Sequence, residues 1–346
     1  MKKFKFQILF ALVALLFASC TNDDPKPEYP SLKGDFVVCE GGFNKNNGAI
    51  SFYSAEVSDN NIFKSVNGRD LGDVVTDFEV VDTLGFIVVN NSQKVELVRM
   101  RDFKSVETID DQQLTYPRFV KQATKSTVYI SNGSMDGEVL IYDFKKFELV
   151  GKIAVGQGPE MMVKIADKMY VANSGGWGAD NTISVIDINT SKVVSTIEVG
   201  FGTTVLKADA ENNLWAFSRG AYDANWQLSD AKIYKISTKT DAVVNSFAIP
   251  ATLATFGTNL LAVSPKGYVY YISDAVYKMD IDAEVLPTEK WLDQALYGIE
   301  VNPDYNTVYG MDANNNKVLL MNEADASVLS SYSSTSNYPN SVYFNN

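Results

Sequence analysis

Short runs rich in apolar, β-branched and aromatic residues recur along nearly the whole chain, each closed off by Gly, Asn, Asp or Ser. Such runs predict β-strands joined by tight turns. Two neighbouring stretches show the order most clearly: residues 117–121, 128–132, 139–143 and 149–156 form four runs, and 161–165, 169–173, 183–187 and 193–200 repeat them. The second run starts at Val128 and again at Met169, a spacing of about 41 residues, within the range of four-stranded propeller blades. Equivalent second and third runs stand at 86–90 with 95–98, 214–218 with 231–236, 269–273 with 276–280, and 308–311 with 318–321. A seventh unit is split between the two ends of the chain. Residues 36–40, 49–53 and 62–66 predict its outer strands, and 341–344 its innermost one. The pattern therefore predicts an all-β, seven-bladed β-propeller over residues 34–346, with four-stranded blades and a ring closed by the C-terminal strand joining the N-terminal blade. Closure of this kind leaves few strand edges open to other chains. Continuous apolar runs such as Val37-Val38 and Ile87-Val88-Val89 fit strands covered on both faces by neighbouring blades. A two-sheet sandwich is the alternative for this many strands, but the period and the displaced final strand speak against it.

The N-terminus has a different pattern. Lys2, Lys3 and Lys5 precede an apolar stretch over residues 8–17, then Ala18-Ser19-Cys20. This predicts a secretory signal peptide, because a bilayer-spanning helix needs roughly 20 apolar residues. Small residues directly before Cys20 resemble the bacterial lipobox, in which cleavage leaves a lipidated cysteine at the new N-terminus. Residues 1–19 are then the signal peptide, Cys20 the lipidation site, and 20–33 a polar, proline-rich tether. An ordinary signal peptide followed by an unrelated cysteine is the alternative.

Composition narrows the function. The net charge of −12 becomes −15 once residues 1–19 are removed, since they carry three lysines and no acid. A body this acidic argues against nucleic acid and anionic membrane surfaces as partners. With Cys20 lipidated, Cys39 is the one cysteine left, so stability must come from an apolar core rather than a disulfide; 46% hydrophobic residues make that feasible. The chain has no histidine, which removes the commonest general base, the usual zinc ligand and any Ser-His-Asp arrangement. Catalysis by paired carboxylates is the route that stays open. The acidic and amide-rich segments 280–282 and 312–316 lack the glycine and distal glutamate of a calcium loop and read as hairpin turns. No metal site is expected.

Tyr170-Val171-Ala172-Asn173, followed by residues 182–187 and 197–200, resembles the YVTN or YncE-like β-propeller family. Looser copies cover residues 34–346, while 214–218 and 308–312 depart from the Tyr-Val-x-Asn form. Together with the lipobox and the acidic pair Asp23-Asp24, the chain resembles the DUF5074-like, YncE-like surface lipoproteins of Bacteroidota. Among these are BtuG-type proteins that capture cobalamin beside an outer-membrane transporter. The resemblance implies a lipid-anchored protein of the outer membrane facing the cell exterior, cobalamin or a similar bulky molecule as ligand, a TonB-dependent outer-membrane transporter as partner, and no catalytic activity. Without histidine the chain supplies no imidazole to cobalt, so a corrinoid would be held through its edge amides, nucleotide loop and aromatic contacts.

In a propeller, the loops joining second to third strands and those joining blade to blade emerge on one face. The first set carries Phe43, Asn44, Trp177, Arg219, Tyr222 and Trp226; the second carries Tyr116, Arg118, Tyr297 and Tyr338. A tight hairpin needs only about two to five residues, so the segments 174–182 and 219–230 are longer than folding requires. Aromatic surfaces flanked by amides suit a flat, polar-edged organic ligand or a sugar. These ten residues are the candidate ligand-binding set. Two competing readings stand beside it: Trp177 and Trp226 as covers for blade tops, and Arg118 and Arg219 as partners of neighbouring acids rather than of a ligand phosphate or carboxylate. At the level of function, a capture protein stands first, a protein- or glycan-binding scaffold second, and a carboxylate-dependent glycan-active enzyme third.

Overall fold

Apolar strands that alternate with turns at a fixed period can bury both faces only by stacking sheet on sheet, and a ring of sheets does this without leaving an end. In the computed structural model, which describes residues 32–176, 180–253, 257–334 and 338–345, seven antiparallel sheets form such a ring. Blades 2 to 7 begin with the inner strands Val75–Val81, Pro117–Gln122, Pro159–Ile165, Thr203–Ala208, Leu261–Ser264 and Gly298–Asn302. Blade 1 takes its inner strand, Pro339–Asn345, from the far end of the chain, where it pairs with Gly34–Cys39 in a register that sets Val37 against Val342.

Each inner strand starts at the loop face and ends at the opposite one, here called the turn face. Second strands run the other way, so Gly34 enters at the turn face. Burial follows position in the blade. In the second strands Leu84–Val89 and Lys168–Asn173 every residue after the first is buried, whereas the outer strand Glu148–Ala154 is largely exposed. Blades grip one another through aromatic side chains. Phe36 of blade 1 stacks on Phe103 of blade 2 at 5.4 Å, and Tyr53 of blade 1 stacks on Tyr332 of blade 7 at 4.3 Å. At that same seam Asp35 accepts hydrogen bonds from Tyr309 (2.8 Å) and Tyr332 (3.1 Å). Its burial raises the carboxyl's pKa, and the two hydroxyls oppose the rise only in part.

Two local departures from the expected blade stand out. Residues 62–66 form no strand: Ile62–Asn67 is a helix, capped by Asn61, whose side chain accepts from the Lys64 amide at 3.1 Å, and stopped by Gly68 in the left-handed region. The helix buries Ile62 and Phe63, and the outermost strand of blade 1 is the two-residue Ser58–Asp59 instead. Blade 6 has three strands, Leu261–Ser264, Tyr268–Ile272 and Val276–Asp280; a single bridge from Val276 to Leu292 lies where a fourth would run.

One corner repeats. At the turn between third and fourth strands, blades 2, 3, 4, 5 and 7 place Phe103, Phe147, Ser191, Asp241 and Ala326 at φ between 50° and 59°. Each is accompanied by a register shift in the hairpin. No helix among the described residues is long and apolar enough to cross a membrane.

Candidate ligand site on the loop face

The inner strands enclose a central channel with a cavity of about 340 Å³. At its loop-face mouth, side chains from blades 1, 3, 4 and 7 meet. Glu40 accepts from Tyr297 Oη at 2.8 Å and from Asn340 Nδ2 at 3.0 Å. Arg118 donates from Nε to Glu160 at 2.8 Å. Burial pushes the Glu40 carboxyl pKa upward, opposed by these two hydrogen bonds and by the Arg118 charge. Burial works against the Arg118 cation as well, yet the carboxylates of Glu160 and Glu40 outweigh it and hold the guanidinium above its ordinary value. The mouth is thus a desolvated, paired charge cluster that fixes donors and acceptors in place before any ligand arrives.

The candidate residues fall into separate groups. Tyr297 and Tyr338 lie with ring centroids 5.9 Å apart, and Arg118 stands over the Tyr116 ring at 5.8 Å, so four of the ten gather around the Glu40 cluster. Arg118 is held by Glu160, the neighbouring-acid alternative. Tyr222 and Trp226 form a second aromatic pair, 6.1 Å apart, on the blade 5 hairpin. Asp223 ties that hairpin, accepting from the Asn225 and Gln227 amides at 2.8 and 2.9 Å, and Trp226 projects with 81% of its surface exposed at φ 58°. Arg219, at the base of this hairpin, is exposed and lines a small crevice with Phe217, Ala231 and Ser273. Phe43 projects freely from blade 1, whereas Asn44 is held by Asp73 and Asn91. Trp177 and Cys20 lie outside the described residues. Gly158, at φ 57°, lets the segment after Ser174 approach: a Cβ there would lie 2.1 Å from the Gly176 nitrogen.

Several residues of the face escape a reading by motif. Phe201, Met135 and Leu253 are exposed apolar side chains on loops of this same face. Of the seven aromatics that stand exposed among the described residues, five (Phe43, Phe201, Tyr222, Trp226 and Tyr338) are on the loop face; Phe147 and Tyr305 are on the other. On the channel wall, Thr258 Oγ1 and Asn259 Oδ1 are buried without a hydrogen bond to the described protein, as is Thr204 Oγ1 in the inner strand of blade 5. Asp77, deeper in the channel, accepts from the Val120 amide at 2.8 Å.

No group of three or more His, Cys, Asp or Glu side chains suited to a metal forms among the described residues. The segments 280–282 and 312–316 are turns: Asp280 accepts from the Asp282 amide at 2.8 Å, and Asp312 caps the short helix Ala313–Asn315. Cys39 is a free, buried thiol beside Ser334 and Ser51.

The ring of seven antiparallel blades makes this a seven-bladed β-propeller. Its sequence matches, over residues 33–345, the family described as Domain of unknown function (DUF5074), and the chain belongs to that family. No curated protein matches the sequence. Among solved structures, the chain is similar to hydrazine synthase of Kuenenia stuttgartiensis, at a TM-score of 0.54 and 18% identity, covering 70% of this chain and 74% of that one. A likeness at that identity concerns the fold alone.

Proposed function

We propose that this protein is a non-catalytic, lipid-anchored capture protein of the outer membrane, which binds a bulky small molecule across its loop face and passes it to a TonB-dependent transporter. Cobalamin is the ligand implied by the resemblance to BtuG-type members of the YncE-like surface lipoproteins of Bacteroidota. The observation that carries the reading is the concentration of exposed aromatic side chains, Trp226, Phe43, Tyr222, Tyr338 and Phe201, around a polar mouth. Trp226 and Tyr338 adopt left-handed backbone conformations, at φ 58° and 60°, that bulky residues rarely take. Strain of this kind gathers at functional loops. A corrinoid is too large for the 340 Å³ channel and would lie over the mouth, with its amide edge toward the Glu40, Tyr297 and Arg118 cluster.

Titration calorimetry of the protein with cyanocobalamin tests this directly. Tight binding is expected, weakened at least about tenfold by Trp226→Ala or Tyr338→Ala, the loss typical of an aromatic anchor. Absence of binding to the folded wild type removes the corrinoid; glycan binding sensitive to the same substitutions would replace it with the scaffold reading.

A further inference from the structure

The mouth of the channel holds an acceptor and a donor whose hydrogen-bonding capacity the protein leaves partly unused. Glu40 takes the Tyr297 hydroxyl on Oε2 and the Asn340 amide on Oε1. With a donor on each oxygen it is placed as an ionised carboxylate, and each oxygen keeps a lone pair for a further N–H. The Arg118 side chain makes one hydrogen bond among the described residues, from Nε to Glu160 at 2.8 Å, so its two Nη groups have no protein acceptor. Both side chains line the cavity, and each feels the charge of the other. The rings of Tyr116 and Phe119 flank the guanidinium, their centroids 5.8 and 6.0 Å from its carbon. Two carboxylates, Glu40 and Glu160, thus share one guanidinium. The other cations of the channel are committed elsewhere: Lys121 pairs with Glu79 at 2.9 Å, Lys207 with Glu300 at 2.6 Å, and Lys164, near the turn-face end of its strand, donates to the Ala123 carbonyl at 2.6 Å.

We propose that the mouth selects a primary carboxamide, carried on a side arm of the captured molecule, and rejects the corresponding carboxylate: the amide oxygen accepts from Arg118 Nη and the amide nitrogen donates to Glu40. The proposal rests on the capture reading for the whole ligand and adds which of its groups is recognised. A carboxylate satisfies Arg118 but brings a third anion beside Glu40 and Glu160, a juxtaposition that weakens binding steeply where water is excluded. An ammonium satisfies Glu40 but sets cation against cation and leaves the Nη donors unpaired. A hydroxyl joins donor and acceptor on one atom, whereas an amide carries them on two, as the mouth does on two side chains. The neutral amide also leaves the charge balance unchanged. Matching of this kind is selective, because a polar group left unpaired on binding forfeits affinity. The cavity of about 340 Å³ has room for an arm of a few heavy atoms, not for the body that bears it.

The test is a ligand-observed NMR titration, suited to weak binding, of the wild type and Glu40→Gln with benzamide and, separately, benzoate at pH 8. The wild type is expected to bind benzamide at least about tenfold more tightly than benzoate. Glu40→Gln keeps the size of the side chain and removes one negative charge; it is expected to bind benzoate at least about fivefold more tightly than the wild type does and to lose the preference for the amide, with an unchanged near-ultraviolet circular dichroism spectrum. The wild-type preference is a test whether or not the variant folds. Three results would each overturn the proposal: no benzamide binding to the folded wild type, benzoate bound as tightly as benzamide, or the preference unchanged in folded Glu40→Gln. Cyanocobalamin titrated alongside separates the two readings. Its failure to bind while benzamide is still preferred removes the corrinoid and keeps the amide site, whereas its binding while benzamide and benzoate bind alike keeps capture and removes the amide site.

Discussion

Among the carboxylates of the channel, Asp77 ties ionisation most directly to folding. Burial, with the Glu79 charge beside it, lifts its pKa to about 7. Between roughly pH 4 and pH 7 the folded chain therefore keeps a proton that the unfolded chain has released. The stability this proton confers is fully present below about pH 4 and is lost as the pH rises to 7, by at most about 1.4 kcal/mol per pH unit. Thermal melts at pH 5 and pH 8 check it: the wild type is expected to melt lower at pH 8, and Asp77→Asn, which can still accept the Val120 amide, to fall less and to melt above the wild type there. Asp35 and Glu40, also raised by burial, act in the same direction and leave the variant some slope. Residue-level legibility was uneven for a physical reason. Trp226 and Tyr222 could be singled out because their loop is longer than a hairpin needs. Glu40, Glu160 and Asn340 could not, since their meaning lies in contacts across blades that only ring closure brings together, at sequence separations of 42 for Arg118–Glu160 and 300 for Asn340–Glu40.

The repeated corner between third and fourth strands shows how one backbone conformation acquires opposite energetic signs. Left-handed φ costs a non-glycine residue roughly 1 to 2 kcal/mol unless surroundings compensate. Phe147 is half-exposed there, whereas Phe103 is fully buried and stacked on Phe36. Phe147→Asn is accordingly expected to stabilise the protein by about 0.5 kcal/mol, because asparagine tolerates this conformation. Phe103→Asn is expected to destabilise it by about 3 kcal/mol or more, through loss of aromatic packing and burial of an amide. Denaturant midpoints of the two variants against wild type distinguish the cases. Strands were readable at this scale because period and apolar runs agreed. The helix Ile62–Asn67 was not: Ile62, Phe63 and Val66 make a run that resembles a strand, and the deciding signals were the flanking Asn61 and Gly68.

At the scale of the whole molecule, closure depends on Pro339–Asn345, whose pairing with Gly34–Cys39 completes blade 1. A chain ending at Ser334 would leave the Gly34–Cys39 edge bare and remove Val342 from the core shared with Tyr309, Met311 and Val318. Its expected behaviour is loss of a sharp thermal transition and self-association, read by circular dichroism and size-exclusion chromatography. The seven-fold period and the displaced last strand made this architecture legible from the sequence, since a ring is the arrangement that gives such a strand a partner. The same closure sets the direction in which any N-terminal attachment would act. Because the second strand of blade 1 enters at the turn face, with Leu32 fastened there by the Asn345 side chain at 2.7 Å, any attachment made upstream of Leu32 pulls on the face opposite the aromatic loops. A propeller tethered in this way stands like a cup on its base, its rim turned from the supporting surface and open to whatever diffuses past.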